Sequence, residues 1–299
     1  GAPPTRWTGS TALAIATARA MAAGMFSSRT DAPIQADAGA LRRVDGASLR
    51  AALQAGAANA LPGVEPRAAA LARLGQRLGE EAAREGGLAR PARWVREALE
   101  RARTAEDASR LDAPRMAAWL ARRLAGVTPG GIQVLGLPAG EVCSHLWAGA
   151  AAGQDDTGHA ALGPDAGTAG AVPFHSLALS LLRTLVEPLQ KAGYALDGME
   201  HLPDAGSARH VALLIETGVL KPRAAAWNER VRPVSDSAVV EARAAAITLL
   251  PRAATEAQAL RSAQGESPAP SVDQLIAAAC PAPARSATVL RVDGESGLW

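Results

Sequence analysis

A mainly α-helical fold of several helices with a few short strands is predicted by three observations. Capped amphipathic segments follow one another along most of the chain, each with Ser, Thr, Asp or Pro at its start and Gly at its end. The β-prone pieces are short and lie in turn-rich stretches such as TPGGIQVLGLPAGEV, residues 128–142. A hydrophobic content of 48% over 299 residues suffices for a core, yet no run of eighteen apolar residues is free of charge.

Taken in order, Thr8 or Ser10 caps a helix through ALAIATARAMAAG that Gly24 ends. A second helix begins near Ser48. A third has Pro66 in its first turn and stops at Gly86 and Gly87, and Pro91 opens a fourth. Asp112, with Pro114 just inside, starts a fifth that Gly126 terminates, so the first 126 residues read as entirely helical. A short strand is expected at Ile132 to Leu135. The Gly, Ala and Asp-rich stretch that follows reads as a mobile surface loop over residues 149–171, separating a helical half at 1–148 from another at 172–299. The second half opens with VPFHSLALSLLRTLVEPLQKAG, whose apolar stripe is read as Leu177, Leu181, Leu185 and Leu189, with Leu182 and Val186 beside it and Gly193 as a left-handed stop. A short helix at Ser207 to Thr217 comes next. A long one runs from Ser235 and Asp236 to about Ser262, where Pro251 is expected to kink or split it. SVDQLIAAAC reads as a last helix and ATVLRVDGESGLW as a closing strand and turn.

Charge and cysteine content exclude several functions. The net charge of +2, from 31 basic and 29 acidic residues, makes no case for nucleic acid. The Arg-rich run from Arg67 to Arg123 is interleaved with Glu and reads as a solvated helical face. The near absence of lysine, only Lys191 and Lys221, matches the composition of a GC-rich bacterial genome. Two cysteines, Cys143 and Cys280, support neither a disulfide framework nor a zinc ribbon, so reduced thiols, no metal and a cytoplasmic location are expected. No signal peptide or membrane span is visible. GVTPGG lacks the lysine and hydroxyl of a phosphate loop, and GGIQVLGLPAG does not fit a dinucleotide fingerprint, so no cofactor is expected.

The candidate site residues are few. His175 stands at the mouth of a helix, where outward-pointing N–H groups disfavour a charged imidazolium. Glu241 and Arg243 lie on a mostly apolar helix, which suggests buried ion pairing. Cys143 and His145 in EVCSHLW are too few for a metal centre.

VPFHSLALSLLRTLVEPL, the GVL at Gly218 to Leu220 and VVEARAAAITLL together resemble, in order and spacing, the uracil-catabolism (URC pathway) protein family of yeasts and bacteria. LPAGEVCSHL and VEPRAAALARLGQRL fit further blocks of it, and the likeness runs from about Trp7 to the C-terminus as one family domain. The chain starts after the place of an N-terminal motif that the family usually carries. The same series is similar to that of queuosine-salvage nucleosidases, which implies a fold resembling the helix-hairpin-helix glycosylases. The resemblance implies N-glycoside hydrolysis of a ribosylurea-like or nucleoside-like intermediate. Carried over by position, Glu241 is a catalytic candidate, and Phe174, His175, Arg209, Arg243, Glu141 and His145 are the substrate-binding ones. Asp204 is the second catalytic candidate, standing in for the family's acid, whose place Ser207 holds, only if the loop shifts. Glu141 stands where the family has Asp. Departures from the family also occur. Gly206-Ser207-Ala208-Arg209 replaces a Pro-Glu-Tyr-Arg segment, Gly9-Ser10-Thr11-Ala12 replaces Arg-Ser-Glu-Gly, and Ser176 and Leu179 replace Lys and Gln. These losses keep open a second reading, a catalytically degenerate relative that binds a nucleoside-like ligand or a partner protein. A third, a nucleic-acid-binding helix-hairpin-helix module, has only the faint hairpin in SARHVALLIETGVLKPR behind it. The implied partner is a small ribose- or nucleoside-like molecule.

Overall fold

In a computed structural model of the chain, residues 10–56, 61, 63–87, 89–128, 132–134, 136–145, 170–203, 206–223, 229, 231–265 and 292–293 are described, with side chains apart from those of 10–13, 208–209 and 292–293. The chain divides into two compact units. The first comprises Gly1–Pro129, Thr184–Gly198 and Ser296–Leu298, and the second Gly130–Arg183, Met199–Glu295 and Trp299. The expected mobile loop and the expected helix at SVDQLIAAAC lie outside the described residues, apart from the loop's last two positions.

The first unit is mainly helical. Its elements are α1 (Ser10–Ala22), α2 (Ala38–Leu41), α3 (Gly46–Ala52), α4 (Val64–Glu85), α5 (Pro91–Ala102) and α6 (Ala113–Leu124). The capping logic explains most boundaries. Asp45 accepts from Ser48 N and Ser48 Oγ answers to Asp45 N, a reciprocal cap that starts α3 two residues before the expected Ser48. Asp112 caps α6 through Arg115 N. The expectation of an entirely helical N-terminal stretch is corrected at Arg110–Asp112, strand β1, which pairs in parallel with Ala195–Asp197, a strand some eighty residues away. Three residues of pairing carry too little periodic signal to be read from sequence.

Helix α4 packs closely on α2 because Gly75 lets the backbones approach. A Cβ there would lie 2.6 Å from Arg42 N and 2.8 Å from Leu41 Cβ. Gly75→Ala is therefore expected to destabilise the fold by roughly 1–3 kcal/mol, the usual cost of overpacking. Gly86→Ala would meet no neighbouring atom. Urea melts of the two variants check this, because its φ of 73° leaves Gly86 only a backbone cost.

The Arg-rich run is not wholly the solvated face that its alternating charges suggest. Glu81 is only 3% exposed, and it accepts from Trp94 Nε1 at 2.6 Å and from Arg123 Nη1 at 2.9 Å. Arg123 also donates to Glu97 at 2.8 Å and stacks over the Trp119 ring at 4.6 Å. Burial pushes the Glu97 carboxyl upward, but its bonds to Arg93 and Arg123 outweigh that and hold it below the usual carboxylate range. The network knits α4, α5 and α6 together because each buried charge meets a donor of opposite sign.

The second unit is built on α8 (Ala208–Glu216) and α9 (Ser237–Ala263). Val239, Ala246, Leu250 and Ala254 recur along one face of α9 and pack with Val211 and Leu214 of α8. Asp236 caps α9, and the helix continues through Pro251 without splitting. Two antiparallel pairs lie in this unit, β2 (Gln133–Val134) with β3 (Leu137–Pro138), and β4 (Val142–Ser144) with β5 (Ala171–Pro173). Arg232–Pro233 pairs in parallel with Val292–Asp293. Cys143, Phe174 and Val240 form a small core with Val172 and Ile247, which seats the β4–β5 pair against α9.

Helix α7 (Ser176–Lys191) contributes its first eight residues to the second unit and the rest to the first. It ends on Gly193, at φ 87°, as expected. Its buried apolar positions are Ala178, Leu179, Leu182 and Leu189, whereas Leu177, Leu181 and Leu185 of the expected stripe are only half-buried. A helix apolar on most of its circumference leaves its own phase undetermined, and the neighbours decide it.

Candidate functional site

The site grows from β4 and its two flanking residues. Glu141 precedes the strand and His145 follows it, and both are buried. Four residues apart around a three-residue strand, they reach α9 at two points.

At the first point Glu141 meets Arg243. The Arg243 guanidinium is 1% exposed and donates from Nη2 to Glu141 Oε1 at 2.6 Å and to Ser176 Oγ at 2.8 Å, while its Nε donates to Gly206 O at 3.2 Å. Its Cζ lies 4.0 Å from the centroid of the Phe174 ring. The position of Arg243 follows from helical phase. It is four residues after Val239 and three before Ala246, on the apolar face, so a cation there is buried and has to be paired.

Gly206 makes this arrangement possible. At φ 56° it adopts a left-handed backbone, and a Cβ would lie 2.8 Å from Ile247 Cγ1 and 3.1 Å from Arg243 O. Its neighbour Ser207 caps α8 through His210 N at 3.4 Å, and Ser207 N bonds back to His210 Nδ1. The segment that departs from the resembled family's pattern is thus occupied by a close approach and a helix cap.

At the second point His145 Nε2 lies 3.2 Å from Glu241 Oε1. Residues two apart on a helix point about 200° away from one another, so Glu241 faces away from Arg243. Its side chain is 53% exposed. The two acids that sequence placed in one site therefore differ in kind: Glu141 is enclosed and bonded, while Glu241 is open to solvent and oriented by a histidine.

The mouth of α7 differs from the sequence expectation. The Ser176 N–H does not point into open space, because it donates to Glu141 Oε2 at 2.6 Å, and Ser176 Oγ donates to Oε1 at 3.2 Å. A carboxylate from elsewhere in the chain caps the helix, where the macrodipole favours negative charge. Ser176, fully buried, is a contact of both Glu141 and Arg243 that sequence reasoning treated only as a lost lysine. Gly206 was passed over in the same way, and neither residue type carries a distinguishing local signal.

His175, half-buried, sits at φ 48° in the left-handed region, at a cost on the order of 1–2 kcal/mol. Burial holds its imidazole below the ordinary histidine value, partly opposed by the charge of Glu141. Its folded value is thus depressed below the unfolded one. As pH falls from neutrality through the ordinary histidine value, the unfolded chain takes up a proton that the folded chain refuses, so stability is lost on the acid side. His175→Asn, which tolerates the same backbone, should flatten the decline in unfolding free energy between pH 7.5 and pH 5. An unchanged decline would assign the acid sensitivity to other groups.

The structure thus brings together Glu141, Phe174, His175, Ser176 and Arg243, with His145 and Glu241 on the same strand and helix. Arg209 lies in α8 with its side chain outside the described residues, and Asp204 lies outside them altogether. An open cleft of about 610 Å³ in the first unit, along α4 beside Arg42 and Arg73, contains none of these residues. Among the described residues no group of three or more His, Cys, Asp or Glu is arranged to hold a metal, and no helix is long and apolar enough to cross a membrane. Cys143 is buried, and its Sγ donates to Val234 O at 3.6 Å.

No curated protein matches the chain. The family of proteins of unknown function DUF1688 matches residues 4–292, nearly the whole length, and the chain belongs to that family.

Proposed function

We propose that this protein hydrolyses the N-glycosidic bond of a ribosylurea-like or nucleoside-like intermediate in uracil catabolism. The observation that carries the reading is the pair formed by Glu241 and His145: a half-exposed carboxylate on α9, oriented by a buried imidazole at the end of β4. In such a reaction the C1′–N bond breaks and its electron pair goes to the urea nitrogen, which takes up a proton. Water supplies the oxygen that bonds to C1′ and loses a proton. An accessible carboxylate suits the sugar side, where it stabilises the cationic, oxocarbenium-like carbon or accepts the proton from water. Glu141 is unsuited to that task, since its carboxylate already takes the Arg243 and Ser176 bonds.

The test is incubation of the full chain with N-ribosylurea, with urea and ribose measured separately. Stoichiometric release of both supports the reading, and no release above the spontaneous rate contradicts it. A second reading, a degenerate relative that binds a nucleoside-like ligand or a partner protein without turnover, is favoured by one observation. Ser207, where the resembled family has an acid, spends its hydroxyl on the cap of α8. Binding of N-ribosylurea without release would select it.

A further inference from the structure

Three consecutive backbone N–H groups converge on Glu141. Its carbonyl oxygen accepts from Phe174 N at 2.9 Å and from His175 N at 3.4 Å, and its Oε2 accepts from Ser176 N at 2.6 Å. The residue in the middle of the three, His175, holds a left-handed backbone that only glycine adopts without cost. Such a conformation persists where the surroundings over-determine it, and here Glu141 does so from both its main chain and its side chain. Arg243 braces the arrangement from the other side, bonded to Glu141 and stacked on Phe174. The His175 ring itself, half-buried, makes no side-chain hydrogen bond among the described residues. A backbone clamped this firmly around a ring left without a bond resembles the preorganisation of a ligand contact more than a packing solution.

We infer that Glu141 is a positioning residue whose clamp on residues 174–176 presents the His175 imidazole to the ureido, leaving-group side of the ligand. This inference rests on the N-glycoside reading and deepens it by dividing the site. Glu241 with His145 serves the sugar side, and His175 serves the departing nitrogen side. A neutral imidazole offers one donor and one acceptor, and a ureido group offers N–H donors and a carbonyl acceptor, so the two are complementary. The depressed protonation of His175 agrees with that form.

The experiment uses the full chain, labelled at its histidine rings, with N-ribosylurea as probe. The His175 resonance is assigned by its loss in His175→Asn. On titration it is expected to shift saturably, and His175→Asn is expected to bind about ten-fold more weakly, the scale of one lost hydrogen bond to a ligand. Glu141→Gln should weaken binding similarly, alter the pH at which the His175 ring titrates, and add little to His175→Asn when the two are combined. If Glu141→Gln fails to fold, Glu141→Asp, which keeps the charge, takes its place and is expected to restore part of the affinity. A bound probe that leaves the His175 resonance unmoved, a wild-type ring titration in the Glu141 variant, or fully additive losses would each overturn the inference. Binding with the His175 shift but without urea release refutes hydrolysis and leaves the clamp standing. Urea release at wild-type kcat/KM in His175→Asn refutes the clamp and leaves hydrolysis standing. Neither binding nor release overturns both.

Discussion

Glu241→Gln is expected to lower the turnover of N-ribosylurea by ~10²-fold or more, the usual contribution of a charged group that stabilises a transition state. Its effect on stability should be small. The side chain is 53% exposed, and glutamine keeps the shape and a hydrogen bond to His145, so only the charge is removed. Initial rates of urea release, measured beside a thermal melt, separate these effects. A variant with full activity would remove Glu241 from the chemistry. A variant that loses activity and unfolds together would make the carboxylate a structural group.

Arg243→Met is expected to cost about 3–5 kcal/mol, the largest stability effect of any single change in the second unit. The substitution removes the cation but leaves the Glu141 carboxylate buried, along with the Gly206 carbonyl that Arg243 Nε serves. Arg243→Lys should not rescue it, because one ammonium lacks the planar fork that reaches Glu141 and Gly206 together. Urea denaturation of both variants provides the measurement. A loss under about 1 kcal/mol for Arg243→Met would show that the pair contributes little, as many exposed pairs do.

These two residues also show how far the sequence could be read. VVEARAAAITLL suggested that Glu241 and Arg243 both take part in buried pairing. Phase separates them: Arg243 falls in step with Val239, Ala246 and Leu250, whereas Glu241 lies about 200° away and is open. The boundaries of α4 and α6 and the start of α5 were legible because Pro in the first turn and Gly after the last are local signals. What stayed hidden depends on distant partners. Glu141 caps a helix that begins 35 residues later, and β1 pairs with a strand far along the chain. No window of neighbouring residues contains either fact. Ser176 and Gly206 were invisible for a related reason, since each matters through a distant partner: both accept a hydrogen bond from Arg243, and Gly206 lies too close to Ile247 for a side chain.

The most direct test of the site is a crystal structure of Glu241→Gln with N-ribosylurea bound. The account predicts the C1′–N bond beside the residue 241 side chain, with the ureido group hydrogen-bonded to the His175 imidazole. A ligand seated elsewhere, or bound here with its ureido group turned away from His175, would contradict it.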